Sequence, residues 1–187
     1  MKVVQPIRDK KKISSMKKIL KSDSMRDYVL FTLGINSGLR ISDLRLFTDT
    51  DVKTPQGKIK ERISLREQKT GKDKNYPINV SARKALEEYL GKSIPTGASL
   101  FPSRKGGTPI TREHAYRIIN AAARAVGITD NIGTHTLRKT FGYWAYKEGY
   151  SVALLQQLFN HSSESQTLRY IGITQDDIDV VYNNLNL

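Results

Sequence analysis

The chain has 187 residues, enough for one domain with a real core and too few for two comfortable ones, and 31 Lys and Arg against 18 Asp and Glu leave a formal charge of +13. A balance this basic attracts polyanions, nucleic acid first and an anionic membrane surface second. No apolar run approaches the ~20 residues of a spanning helix and no apolar signal core follows Lys2. Without cysteine there is no disulfide framework, thiol nucleophile or thiolate metal site, so a soluble cytoplasmic protein is expected.

Residues 1–21 carry Lys2, Arg8, Lys10, Lys11, Lys12, Lys17, Lys18 and Lys21 against Asp9 alone. They read as a basic arm, either solvated or laid along nucleic acid, running into a first helix striped with Ile13, Met16, Ile19 and Leu20. Residues 22–173 then form the main domain. Ser22 or Ser24 caps a helix whose inward face is Met25, Tyr28, Val29, Thr32 and Leu33, and Gly38 ends it. Ile41 to Phe47 reads as a further helical turn or two. A small antiparallel sheet follows, starting near Val52, with Ile59, Ile63 and Leu65 before a turn at Thr70-Gly71-Lys72-Asp73 and Tyr76, Ile78 and Val80 alternating after it. Helices resume after Ser81, after Thr111, from about Thr136 to Lys147, and after Ser151. Residues 174–187 make a last helix with Ile178, Val181, Tyr182 and Leu185 on one side. The fold class is mainly α with a small antiparallel β-sheet.

Five segments carry candidate chemistry: Gly38-Leu39-Arg40-Ile41-Ser42-Asp43-Leu44; Lys69 beside the sheet turn; Thr134-His135-Thr136-Leu137-Arg138; Asn160-His161-Ser162; and Thr167-Leu168-Arg169-Tyr170. Each alone has a plainer reading: a surface Arg, a solvated Lys, a capping His, a core Tyr. Taken together, and in this order, they resemble the tyrosine recombinase or phage integrase family. Its pattern of Arg, Lys, His-x-x-Arg, His or Trp, then Tyr is matched by Arg40, Lys69, His135 with Arg138, His161 and Tyr170. The family's frequent Gly before the second His is Asn160 here, and nine residues separate His161 from Tyr170. The resemblance covers nearly the whole chain and implies the catalytic-domain fold of that family.

The residue types suit transesterification at phosphorus. A Tyr hydroxyl can attack and become a covalent carrier, dividing one hard step into two. A free phenol has a pKa of ~10, so it must lose its proton during attack, which cationic neighbours favour. Guanidinium forks on Arg40 and Arg138 suit the non-bridging oxygens, and charge developing in the pentacovalent state raises their value. His135 suits proton acceptance or a phosphate hydrogen bond, and His161 a further one. The resemblance implies that Lys69 protonates the leaving 5′ oxygen and that Asp43 is a buried support. It also implies breakage and rejoining of double-stranded DNA through a 3′-phosphotyrosine, with neither metal nor ATP and no cofactor. Expected partners are DNA, further copies of the chain in a tetrameric recombining complex, an accessory DNA-bending protein as a further candidate, and no membrane. The setting is a bacterial or phage-encoded mobile element. Type IB topoisomerases share the chemical kit, and a helical DNA-binding regulator with relic residues is the competing non-enzyme. The compact Arg-Ile-Ser-Asp segment and the complete set favour the recombinase.

Overall fold

The computed structural model describes residues 3–68, 71–91, 97–104 and 106–185. Its elements begin where side chains satisfy orphan backbone donors. Asp9 accepts from the N–H groups of Lys11 and Lys12 and so starts α1 (Lys10–Asp23). Ser24 caps α2 (Met25–Ser37), which ends at Gly38 in the left-handed region. Single turns α3 (Ile41–Leu44) and α4 (Asp49–Val52) follow, the latter closed by a capping box between Thr48 and Asp51. Strands β1 (Arg62–Arg66) and β2 (Asp73–Pro77) pair antiparallel with Ile63 opposite Tyr76. Then come α5 (Val80–Leu90), α6 (Arg112–Ala125), α7 (Thr136–Lys147), α8 (Val152–Phe159), α9 (Glu164–Ile171) and α10 (Gln175–Asn184).

The class matches the expectation: helices carrying one small antiparallel sheet. Three local expectations are corrected. The sheet starts at Arg62, not near Val52, because the capping box draws Val52 into α4; Lys53 and Ile59 form only an isolated bridge. Asn79, not Ser81, caps α5, so Val80 lies in the first helical turn and is exposed. The third concerns α2, where Val29, Leu30, Phe31, Thr32, Leu33 and Gly34 are all buried, so the helix has no polar face over that stretch. The reason is that α1, α5 and α7 pack around it.

The first segment is not a solvated arm. Residues 3–9 lie as an extended strap along α7. Ile7 is buried, its N–H donates to Thr140 Oγ1 (2.9 Å), and its carbonyl accepts from Trp144 Nε1 (3.0 Å).

Apolar side chains gather in two bodies. The main core runs from Ile7 through α1, α2, the sheet, α5 and α6 to Leu137. A smaller cluster of Leu155, Phe159 and Ile171, with Phe141 and Leu168 against it, holds α8 and α9. Helix α7 is the shared wall, and Gly142 lets α8 and α9 come close. A Cβ there would stand 2.6 Å from Ile171 Cγ2 and 2.7 Å from the Phe159 ring. On α10, Val180 and Tyr182 are exposed, as is Leu185 just after it; the side chains of Ile178 and Val181 lie outside the described part. Among the described residues no helix is long and apolar enough to cross a membrane.

Candidate active site

Gly38 shapes the first part of the site. Its φ of 64° reverses the chain after α2, and a Cβ would stand 2.6 Å from Phe141 Cδ1, so both conformation and space demand glycine. The reversal buries Leu39 and brings Arg40 to the head of α3. Arg40 Nη1 lies 2.8 Å from Glu67 Oε1, and Glu67 is only 2% exposed. The Tyr76 hydroxyl donates to the same Glu67 oxygen (3.2 Å). Burial, with Glu67 beside it, pushes the Tyr76 phenol up to about 12. Asp43 is also buried and accepts from the Gln68 N–H (3.2 Å). Burial holds its carboxyl above the usual carboxylate range, against the pull of that hydrogen bond and of Arg40.

Helix α7 supplies the second part. His135 stands at its N-cap position, exposed, and shares a cleft of about 380 Å³ with Arg40, Ser42, Gln68 and Arg112. Arg138, one turn on, is 3% exposed. Its guanidinium donates to the carbonyls of Gly38 and Phe159 and stacks over the Phe159 ring, 4.6 Å from the centroid. Three residues apart, the two side chains therefore differ: one faces a cleft and the other is built into the scaffold.

Helices α8 and α9 supply the third. Asn160 closes α8 with φ 56°, the one non-glycine residue at positive φ among the described residues. A left-handed cap tolerates Asn almost alone besides Gly, which accounts for Asn at a position where glycine is frequent. Its side chain accepts from Lys72 Nζ (2.8 Å), joining the hairpin turn to the end of α8. His161 follows, with Nδ1 3.1 Å from Thr167 Oγ1. Tyr170 on α9 meets His161 edge to face, centroids 4.9 Å apart, and Phe159 at 5.5 Å, while Lys139 Nζ sits 5.1 Å from its ring centroid. Burial pushes the Tyr170 hydroxyl above its ordinary value, and the charges of Arg138 and Arg40 pull it back only in part. Burial, Arg138 and Arg40 all lower His161, leaving its imidazole neutral at neutral pH.

Arg40, Arg138, His161 and Tyr170 thus form one electrostatically connected group, and His135 shares the cleft at Arg40. Lys69 lies outside the described residues. A cleft of about 970 Å³ between Lys53, Arg83 and Glu87 contains none of these groups. No three His, Cys, Asp or Glu side chains converge to hold a metal ion among the described residues. Sequence reasoning passed over Glu67, Tyr76, Lys139 and Arg112. For Glu67 a signal existed: continuing the inward alternation of Ile63 and Leu65 puts position 67 on the inner face, where a carboxylate demands a cationic partner.

Residues 8–176 match the phage integrase family. Over 182 residues the chain is 43% identical to the probable integrase/recombinase YoeC of Bacillus subtilis (strain 168), covering 97% of each protein. It is 28% identical over 166 residues to the tyrosine recombinase XerC of Thermodesulfovibrio yellowstonii, covering 84% of this chain and 54% of that protein. The fold superposes on the crystal structure of XerA recombinase with a TM-score of 0.76 at 22% identity, covering 98% of this chain and 65% of that one. The chain therefore spans nearly all of YoeC but only about half of XerC.

Removing one partner of a buried ion pair leaves the other charge without compensation. Glu67→Ala is expected to lower stability by about 3 kcal/mol. The double variant Glu67→Ala/Arg40→Met should recover more than half of that loss. Urea unfolding of the wild type, both single variants and the double variant measures this; additive losses would refute the pairing.

Proposed function

The chain belongs to the phage integrase family of tyrosine-type site-specific DNA recombinases, and from that premise we propose that it breaks and rejoins double-stranded DNA through a 3′-phosphotyrosine bond at Tyr170. The observation that supports this reading is the gathering of Arg138, His161 and Tyr170 about the Phe159 ring: the guanidinium lies 4.6 Å from its centroid, the His161 and Tyr170 rings each 5.5 Å, and those two rings meet at 4.9 Å. Arg40 and Arg138 bind the two non-bridging oxygens of the scissile phosphate. Arg138 gives its fixed donors to two backbone carbonyls and keeps others for the phosphate, since a guanidinium has five. The resting phenol is protonated, so its proton leaves as the oxygen attacks. His135, at the cleft, takes that proton or donates to a phosphate oxygen. The new Tyr O–P bond forms as the P–O5′ bond breaks, and Lys69 gives a proton to the departing 5′ oxygen. Rejoining runs the same steps backwards. Because the aryl phosphodiester keeps the bond energy, rejoining draws on no ATP, and the two guanidinium groups take the charge-stabilising part a metal would otherwise play. The net charge of +13 draws the protein to DNA, and its setting is the bacterial cytoplasm.

We further assign self-association on DNA to α10. Val180 and Tyr182 are exposed there, and Leu185 just after it. An apolar cleft of about 370 Å³ lined by Ile35, Phe141, Trp144, Leu155 and Leu158 lies between α2, α7 and α8, of the right character to receive such a helix from a second copy.

A suicide substrate, nicked so that the cleaved strand is lost, should trap the wild type as a denaturation-resistant DNA adduct, equally in excess chelator. Tyr170→Phe should bind DNA and give none. An adduct on the Phe variant, or a magnesium requirement, would sink this mechanism. For Lys69, the Ala variant should be slow on ordinary DNA and recover nearly to the wild-type rate when the 5′ bridging oxygen is sulfur, a leaving group that needs no acid. Without recovery, Lys69 is not the proton donor. Deleting residues 175–187 should leave a folded chain that binds one site but no longer assembles on paired sites; unfolding instead would place α10 in its own core.

A further inference from the structure

The N-terminal strap touches both halves of the site. At one end, the Gln5 N–H donates to the Asn131 carbonyl (2.8 Å), and the Gln5 carbonyl accepts from Thr136 Oγ1 (2.9 Å). Thr136 Oγ1 also accepts from the Gly133 N–H (3.0 Å), and Val4 packs so close to Gly133 that a Cβ there would stand 3.0 Å from Val4 Cγ2. This is the loop that delivers His135. At the other end, Arg8 Nη2 donates to the carbonyl of Gly172 (2.8 Å), braced by a second bond to Gln5 Oε1 (3.0 Å). Its guanidinium lies 5.5 Å from the Tyr143 ring centroid. Gly172 is the left-handed cap of α9, two residues after Tyr170. A Cβ on Gly172 would stand 2.9 Å from both Arg8 Nη2 and Pro6 Cδ, so the strap is seated directly against the cap.

From this we propose that Arg8, with Pro6, is a positioning clamp for the nucleophile helix: the strap splints α9 to the loop of His135 and holds Tyr170 at its attack position. The inference rests on the reading of Tyr170 as the nucleophile. Two physical facts make the clamp effective. The end of a helix presents carbonyls without intrahelical partners and a partial negative charge, so a cation there is favourable. And α9 belongs to the smaller apolar cluster, with few buried side chains of its own, so a tie to α7 from outside that cluster restrains it where packing is thin. Arg8 stands in a run of basic residues that invites a DNA-contact role, yet its Nη2 is spent on the Gly172 carbonyl and Gln5 Oε1.

Three variants and two readouts test the clamp. Arg8→Ala and Gly172→Ala should slow adduct formation on saturating suicide substrate on the order of 10-fold, short of the ~10²-fold that a full 1 Å misplacement costs. DNA affinity at fixed salt should be unchanged. Arg8→Lys, which can still donate once to the Gly172 carbonyl, should restore part of the rate. Independently of chemistry, amides of residues 169–173 should exchange with deuterium faster in Arg8→Ala, while those of α2 stay as in the wild type. A wild-type cleavage rate in Arg8→Ala would overturn the clamp, as would unaltered exchange at α9 accompanied by weaker DNA binding, which is the signature of a DNA-contacting arm. If the wild type itself forms no adduct, the Tyr170 reading fails, and the exchange experiment still decides whether the strap restrains α9.

Discussion

A buried guanidinium governs this molecule. Taking a charge out of water costs several kcal/mol, and Arg138 keeps only 3% of its surface. The cost is offset by carbonyls at the ends of two different helices and by the face of Phe159. Those carbonyls become available only if the chain turns sharply after α2 and after α8, which is what the left-handed caps at Gly38 and Asn160 accomplish. The same guanidinium lies over the Phe159 ring against which Tyr170 packs. The buried carboxylates Asp43 and Glu67 complete the balance, so the two arginines of the site rest among two acids before any ligand arrives.

Much of this was legible from the residues, and the failures have physical reasons. Helices announced by a capping side chain and a run of apolar positions were found with their starts: Thr111 for α6, Ser151 for α8, and for α2 Ser24, one of the two serines that could cap it. Helix α9 was not singled out as a helix, because it is short and polar and owes its stability to Ser163 and to packing on Phe159. Val52 misled because a β-branched residue before an alternating stretch reads as strand, whereas the Thr48–Asp51 box decides locally for helix. At the site, residues tied by motif order could be named in advance. Those tied only by tertiary contact could not. Glu67 looks like any solvated Glu until the alternation of β1 is carried one step further. Arg8 is hidden in a run of like charges, where counting treats each cation as equal and only geometry separates the one that turns inward.

The division of labour between His135 and Arg138 shows how far spacing alone can go. Three residues apart on one helix, they share a direction but not an environment. The His sits at the N-cap position, where the helix has barely begun and the side chain opens to a cleft; the Arg is one turn deeper, under α2 and α8. A motif places both on the same side of the helix. Burial decides that one opens to a cleft and the other carries the architecture.

The separation of apolar side chains into two bodies has a bearing on how the protein ages and fails. The arginine-bearing elements α3 and α7 adjoin the large core, while Tyr170 rides on the small one. Segments with less buried surface open at lower free energy than the whole. Under heat or mild denaturant α8 and α9 should therefore be the first pieces to loosen, with the large core and the arginines beside it still standing. On the reading proposed for Tyr170, a molecule arranged this way loses its blade before it loses its grip, and a damaged copy comes to rest as a harmless occupant instead of a stray source of strand breaks.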